Sequence, residues 1–383
     1  MKTLSLVLTS FLLLSQADPD NKMCHLTGRV IDRPGAKLLL KKQVEDTRNH
    51  GTEVLIDSNG FFDYDLSYSH LEAYELIFKN ELENGSWRPV LFFPEKDTIS
   101  FVLYPMQMSD SNKISGSPLT LKGKQYDKMV YSKYFEQYTY WYGKTDSLDA
   151  IKESKSEYAR YVTNKIDSIF NDLAFFEFGY AVNEMNVFGY YMFLEILRTE
   201  KDRHLIPLDT LNKYQDLFKG AFPDHPYNQI AQYRIEGLKS LQVGGRYVDF
   251  TAPDSSGLSI TLSHMITINQ ITLIDLWAPW CGPCINKSQK TVPLFTEFKD
   301  SGFGVIGVVG GISSQDQFLR ATRQHPYPWI QLSEINDAGN IWEKYGISKS
   351  GGSQFLVNNK GMILSINPSS DELRINILNE IKE

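Results

Sequence analysis

The stretch "ITLIDLWAPWCGPC", residues 271–284, constrains this chain more than any other. Ile271 to Trp277 is a β-branched, apolar run of the kind buried in a parallel sheet. Two cysteines three positions apart follow at once, and a turn carrying Cys281 leads into a helix that starts at about Gly282 or Pro283. That order puts the Cys281 sulfur at a helix N-terminus, where unpaired backbone N–H groups and the macrodipole favour thiolate over thiol. Pro283 suits an early helical position because its missing N–H costs nothing there. In this geometry Cys281 is the attacking nucleophile, and Cys284, one helical turn on, displaces the partner. Asp275 falls six residues before Cys281 on the same apolar strand. Burial predicts a raised pKa for its carboxyl.

Composition sets the compartment and the partners. The chain opens with Lys2, an apolar stretch from Leu4 to Leu14, and Ser15-Gln16-Ala17, the pattern of a secretory signal peptide over 1–17 cleaved after Ala17. No later segment approaches eighteen consecutive apolar residues. The remaining length exceeds what one hydrophobic core usually serves, so two or three domains are expected. A formal charge of −7 argues against a nucleic-acid partner, and 42% hydrophobic residues indicate folded domains. Three cysteines are too few for a disulfide framework. Cys24 is the one left over. It lacks the small and aliphatic residues a lipidation site needs before it, so it reads as a free thiol and the chain as no lipoprotein at Cys24.

Three textures follow one another. Residues 18–110 carry short alternating or apolar runs ("HLTGRVI", "AKLLLKK", "TEVLID", "FFDYDLS", "AYELIF", "PVLFF", "TISFVLY") separated by turns such as Pro34-Gly35 and Ser58-Asn59-Gly60. They predict an antiparallel β-sandwich-like domain, with His25, His50 and His70 as surface or turn residues. Residues 111–243 read as helical. Tyr126, Met129, Val130, Tyr134 and Tyr138 share one face there, as do Tyr158, Tyr161, Ile166 and Ile169. The aromatic run "FFEFGYAVNEMNVFGYYMFLEIL" is expected to be helical core rather than a ligand pocket.

From 244 to 383 strands alternate with helices. "FGVIGVV" is a second buried strand, and Ser314 with Gln317 opens a helix that runs to His325. "QFLVNNKGMILSI" reads as a hairpin turning at Asn359-Lys360-Gly361, and Ser369 with Glu372 opens a C-terminal helix. A βαβ unit followed by a ββα unit is the thioredoxin architecture. With the WCGPC core in that setting, residues 244–383 resemble the thioredoxin superfamily and its exported TlpA/ResA-like branch. The segment "GGRYVDFTAPDSSGLSITLS" is similar to one that these proteins share with peroxiredoxins.

The resemblance implies a thiol-disulfide oxidoreductase that trades electrons with protein dithiol and disulfide clients and needs no cofactor. It implies that Asp275 is the proton acceptor that helps Cys284 become a thiolate, and that Trp280 is the exposed active-site tryptophan while Trp277 belongs to the core. It further implies export to the periplasm and a membrane electron donor. The Gly-Pro dipeptide between the cysteines is that of thioredoxin and favours a reductant.

Two departures stand out. Gly352 occupies the place of the family's cis-proline, so the Gly351-Gly352 peptide is expected to be trans and the substrate groove around Trp280, Gly351 and Gly352 loose. The usual kink proline of the first helix is replaced by Gln289, with Pro293 coming later. A metal site is the first rival reading, but it needs two further ligands, and no second CxxC or HxxxH exists. A peroxidase reading lacks a PxxxTxxC pattern around Cys281. An inert, permanently oxidised pair on a binding module is the third.

Overall fold

The computed structural model describes residues 21–33, 35–45, 51–84, 86–150, 156–347 and 351–381. The expected signal peptide at 1–17, Pro34 and His50 lie outside them. The first region is two sheets packed face to face. Its strands are β1 (Lys22–Val30), β2 (Lys37–Lys42), β3 (Thr52–Leu55), β4 (Phe61–Tyr68), β5 (Tyr74–Phe78), β6 (Val90–Phe92), β7 (Thr98–Leu103) and β8 (Lys113–Ser115), with a short α1 (Lys79–Glu83) after β5. One sheet runs β4-β1-β7-β8 and the other β3-β2-β5-β6. Alternation along each strand sends Leu26, Phe62 and Phe101 from one sheet, and Leu38, Leu76 and Phe92 from the other, into a shared core. The antiparallel expectation is corrected at one pair, because β1 runs parallel to β7. The long connection between them lets β7 return beside β1 in the same direction. Cys24 points into this core, where burial and the charge of Asp97 push its thiol up to about 11.

Five helices follow: α2 (Pro118–Ala150), α3 (Glu157–Asn183), α4 (Val187–Arg203), α5 (Leu208–Ala221) and α6 (Tyr227–Ser240). The expected aromatic faces are corrected in register. At the start of α3 the inward residues are Ala159 and Val162, with Ile166 and Trp141 packed on them, so Tyr158 and Tyr161 are half exposed, as is Met129 on α2. The run from Phe175 to Leu197 divides at Glu184–Asn186 into two helices and serves two environments. Tyr190, Phe193 and Leu194 are core. Phe188, Tyr191 and Met192 line a cleft of about 950 Å³ between the sandwich and the helices. No helix among the described residues is long and apolar enough to cross a membrane.

The last region holds β9 (Thr251–Pro253), β10 (Ser259–Thr261), α7 (Leu262–Ile268), β11 (Ile271–Trp277), α8 (Gly282–Phe298), β12 (Phe303–Ile312), α9 (Gln315–Gln324), β13 (Ile330–Ile335), α10 (Ile341–Lys344), β14 (Ser353–Asn358), β15 (Ile363–Ile366) and α11 (Ser370–Ile381). Five strands form a sheet of order β13-β12-β11-β14-β15, with β11, β12 and β13 parallel and β14 and β15 antiparallel. This is the thioredoxin-like fold. Both expected caps form, since the Ser314 hydroxyl accepts from the Gln317 N–H and the Ser369 hydroxyl from the Glu372 N–H. The βαβ and ββα reading omitted β13, which pairs in parallel with β12 and closes one edge.

The helices dock on this fold through a buried ion pair. Arg234 on α6 is 2% exposed, reaches Glu343 on α10 with two nitrogens at 3.0 and 3.1 Å, and donates to the Leu194 carbonyl at 2.6 Å. A planar guanidinium satisfied on three sides fixes the two elements in one orientation.

Candidate active site

All seven residues of β11 are buried, because the strand is central in the sheet and helices cover both faces, Ile271 and Leu273 packing with α8 and α11 and Ile274 and Leu276 with α7. It delivers the chain to the sheet's end, where Cys281 caps α8. The Cys281 N–H donates to the Ala278 carbonyl at 2.9 Å, closing the turn, and Cys281 Sγ accepts from the Cys284 N–H at 3.3 Å. A helix N-terminus therefore points a backbone donor at that sulfur, which stabilises negative charge on it. Cys281 and Cys284 are joined in a disulfide with a Cα–Cα distance of 5.3 Å. Trp280 stands beside them, 38% exposed, whereas Trp277 is fully buried and donates its indole N–H to Gln331 at 2.9 Å.

Asp275 is 1% exposed. Ser288 donates to its Oδ2 at 2.7 Å, and the Gln354 amide donates to its Oδ1 at 3.1 Å. Burial pushes the carboxyl up to about 6, against the pull of these two bonds and of the Lys287 charge. Lys287 is itself held below the ordinary ammonium range by burial, with Asp275 opposing, and donates to Asn367 at 2.9 Å. Ser288 also reaches the Cys284 carbonyl oxygen at 3.1 Å, which ties this buried carboxyl to the first turn of α8.

Gly351 and Gly352 arrive from the β14 side. No cis peptide bond occurs among the described residues, so the Gly351-Gly352 bond is trans. Both glycines pack closely against the disulfide turn and the end of β11. A Cβ on Gly351 would lie 2.4 Å from Cys281 Sγ, and one on Gly352 would lie 1.9 Å from the Leu276 carbonyl oxygen. Gly352 also has φ +151°, a conformation for which glycine is suited. These glycines let the backbone close directly over the disulfide. Pro293 sits inside α8, one turn beyond Gln289.

The structure thus brings Asp275, Trp280, Cys281, Cys284, Gly351 and Gly352 to one end of the sheet. Sequence reasoning missed Ser288 and Gln354. Ser288 was within reach, since it follows Cys284 by four residues and so shares its helical face. Gln354 is opposite Asp275 in the β11–β14 ladder, a pairing visible only once the register is known.

The sequence model of the AhpC/TSA family matches residues 243–366. The chain is 28% identical over 116 residues to the thiol:disulfide interchange protein DsbE of Allochromatium vinosum, an alignment covering 30% of this chain and 60% of that protein. Among solved structures, the thioredoxin domain of a Bacteroides vulgatus thiol-disulfide oxidoreductase shares 23% identity at a TM-score of 0.34, covering 37% of this chain and 99% of that one. A Bacteroides fragilis thiol-disulfide oxidoreductase shares 19% at 0.32, covering 35% and 98%. The C-terminal region of this chain, over residues 243–366, carries an AhpC/TSA thioredoxin-like domain.

Proposed function

We propose that this chain is an exported thiol-disulfide oxidoreductase that reduces protein disulfides through the Cys281–Cys284 pair. The observation that carries the reading is a disulfide at an exposed helix N-terminus, with a buried carboxyl behind it and a tryptophan and two glycines around its mouth. The likeness to DsbE supports the same chemistry. In this reading Cys281 attacks a client disulfide, forming a mixed disulfide. Cys284 then displaces the client thiolate, and the pair ends oxidised. Electrons return from a membrane donor, and the periplasm is the compartment. The sandwich at 18–110 and the helices at 111–243 act as separate domains that present the catalytic domain at 244–383.

Alkylation tests the assignment. In the reduced full chain at pH 7, iodoacetamide is expected to label Cys281 at least about tenfold faster than Cys284 or the buried Cys24, read by peptide mass mapping. Equal labelling of Cys281 and Cys284 overturns the roles. The midpoint potential tests the direction. A value near the roughly −270 mV of thioredoxin supports a reductant, and one near the roughly −120 mV of a strong oxidant reverses it.

A further inference from the structure

We propose that an aromatic stripe on α2 is the face through which two copies of this chain pair, with the two helices antiparallel. The inference is independent of the redox reading. Tyr131, Phe135, Tyr138 and Tyr142 recur at intervals of four, three and four residues, which sets them in one line along α2. Tyr131 stacks on Phe135 with ring centroids 4.2 Å apart and Tyr138 on Tyr142 at 5.4 Å, while Phe170 of α3 meets Tyr138 edge to face at 5.6 Å. The side of α2 that faces α3 most directly is a different one. There Tyr134 is buried against Phe176, and Trp141 packs on Tyr161, Ala159 and Val162. α2 thus has two apolar faces where a surface helix needs one. The second is left open among the described residues, with Tyr131, Phe135, Tyr142 and Phe170 between 40 and 60% exposed. A contiguous exposed aromatic patch of this kind marks an interaction site.

The spacing points to a helix as the occupant, and its symmetry to a second copy of this one. Intervals of four and three are those of a coiled-coil seam, which accepts a helix bearing the same seam. Four, three, four reads the same from either end. A twofold axis between Phe135 and Tyr138 therefore sets each Tyr131 against a Tyr142 and each Phe135 against a Tyr138, an isologous contact that closes on itself. Charge does not oppose the pairing. α2 carries five basic and four acidic residues, none of them in the stripe, although the chain as a whole has a formal charge of −7. Antiparallel helices also oppose their macrodipoles. Aromatic side chains bury about 150–250 Å² each, so with roughly half of that still exposed the five rings supply on the order of 500 Å² per copy, most of the about 800 Å² that a standard interface takes from each partner. Ser132 and Thr139, both exposed beside the stripe, add to it.

Sedimentation velocity on the full chain, with Cys281 and Cys284 kept oxidised, is expected to show a dimer at about 100 µM that dissociates on dilution. Phe135→Glu combined with Tyr142→Glu puts charge into the seam and is expected to weaken the dimer at least about a hundredfold. Tyr140→Glu changes an exposed ring on the far side of the same helix and is expected to leave the dimer intact. A wild type that stays monomeric at about 100 µM overturns the proposal. So does a double variant that remains dimeric, or a Tyr140→Glu variant that dissociates as far as the double one. Orientation is read from nitroxide labels on Ser147→Cys, since Cys24 is buried and the other two cysteines are held in their disulfide. Ser147 lies roughly ten residues from the twofold axis, so antiparallel pairing puts the two labels about 30 Å apart in a double electron–electron resonance measurement. Labels within about 15 Å mean parallel helices and overturn the pairing, as does a dimer without measurable coupling between them. Disulfide reduction per chain is expected to match wild type in every variant, so loss of the dimer and failure of the redox reading are seen separately.

Discussion

Asp275→Asn is expected to make the oxidised protein more stable at pH 7.5 and, once reduced, slower. The reason is the direction in which burial moves this carboxyl, from the usual 3.8 to about 6. A carboxyl with a raised folded-state pKa binds its proton more tightly in the folded chain than in the unfolded one. Stability is then lost as pH rises from about 4 to about 6, and the penalty is complete above that. A rise of this size corresponds to about 3 kcal/mol, which sets the upper bound of the gain from asparagine at pH 7.5. Below about pH 4 the two proteins should coincide. Asparagine can accept from Ser288 as the carboxylate does, while the Gln354 amide flips to face its NH2. Hydrogen exchange of the β11 amides reads this locally, without the other domains contributing. A stability difference that stays constant from pH 4 to 7.5 refutes the titration argument. Reduced Asp275→Asn should displace a client from Cys281 about a hundredfold more slowly at pH 7, the scale of a lost general base. Unchanged displacement makes Asp275 a structural residue.

Much of this was legible because the signals are local. Alternation and turn residues mark the sandwich strands one by one, and the cap at Ser314 needs only its own next turn. Cys281 at the start of α8 follows from a strand, a turn and a proline read in order. What was not legible depends on pairing across the chain. That β1 runs parallel to β7 requires knowing which strand returns beside it, and nothing in "KMCHLTGRV" says so. β13 was missed because "IQLSEI" is short and mixes polar with apolar residues, as suits an edge strand. On α3 a helical face through Tyr158 and Tyr161 is one residue away from the face through Ala159 and Val162. Large aromatics draw the eye, whereas the close contact with Trp141 falls to the small residues. The network around Asp275 shows the same limit. A buried carboxylate could be foreseen, but its partners come from α8 and β14, and Gln354 acquires its role only from a strand register.

The largest loss of stability is expected at Gly352, where the family's proline would be a substitution toward the common pattern. With φ at +151°, the backbone cannot accept proline, whose ring fixes φ near −65°. Even alanine would set its Cβ 1.9 Å from the Leu276 carbonyl oxygen, a backbone atom of the central strand that cannot turn aside. Leu276 pairs with Ser353, so a shift at Gly352 pulls on the first rung of the β11–β14 ladder. Gly352→Ala should therefore cost at least about 4 kcal/mol, since strain at a special backbone conformation and overpacking against a fixed atom act together. Gly352→Pro should leave the domain unfolded, read as loss of exchange protection in β11 and β14. Gly351→Ala supplies the contrast. Its Cβ meets the Cys281 sulfur at 2.4 Å, the Cys281 Cβ at 2.5 Å and the edge of the Trp280 ring at 3.2 Å, side-chain atoms of the turn before α8 rather than backbone of the central strand. The fold should survive at a cost of about 1–3 kcal/mol, the range for overpacking. The methyl group then stands over the sulfur that a client must reach, and alkylation of Cys281 should slow several-fold while that of Cys284 stays as it was. If Gly352→Pro instead folds with wild-type protection, the β14 approach is not built as described. If Gly351→Ala leaves Cys281 reactivity untouched, the glycine is there for the backbone alone and the mouth of the site lies elsewhere.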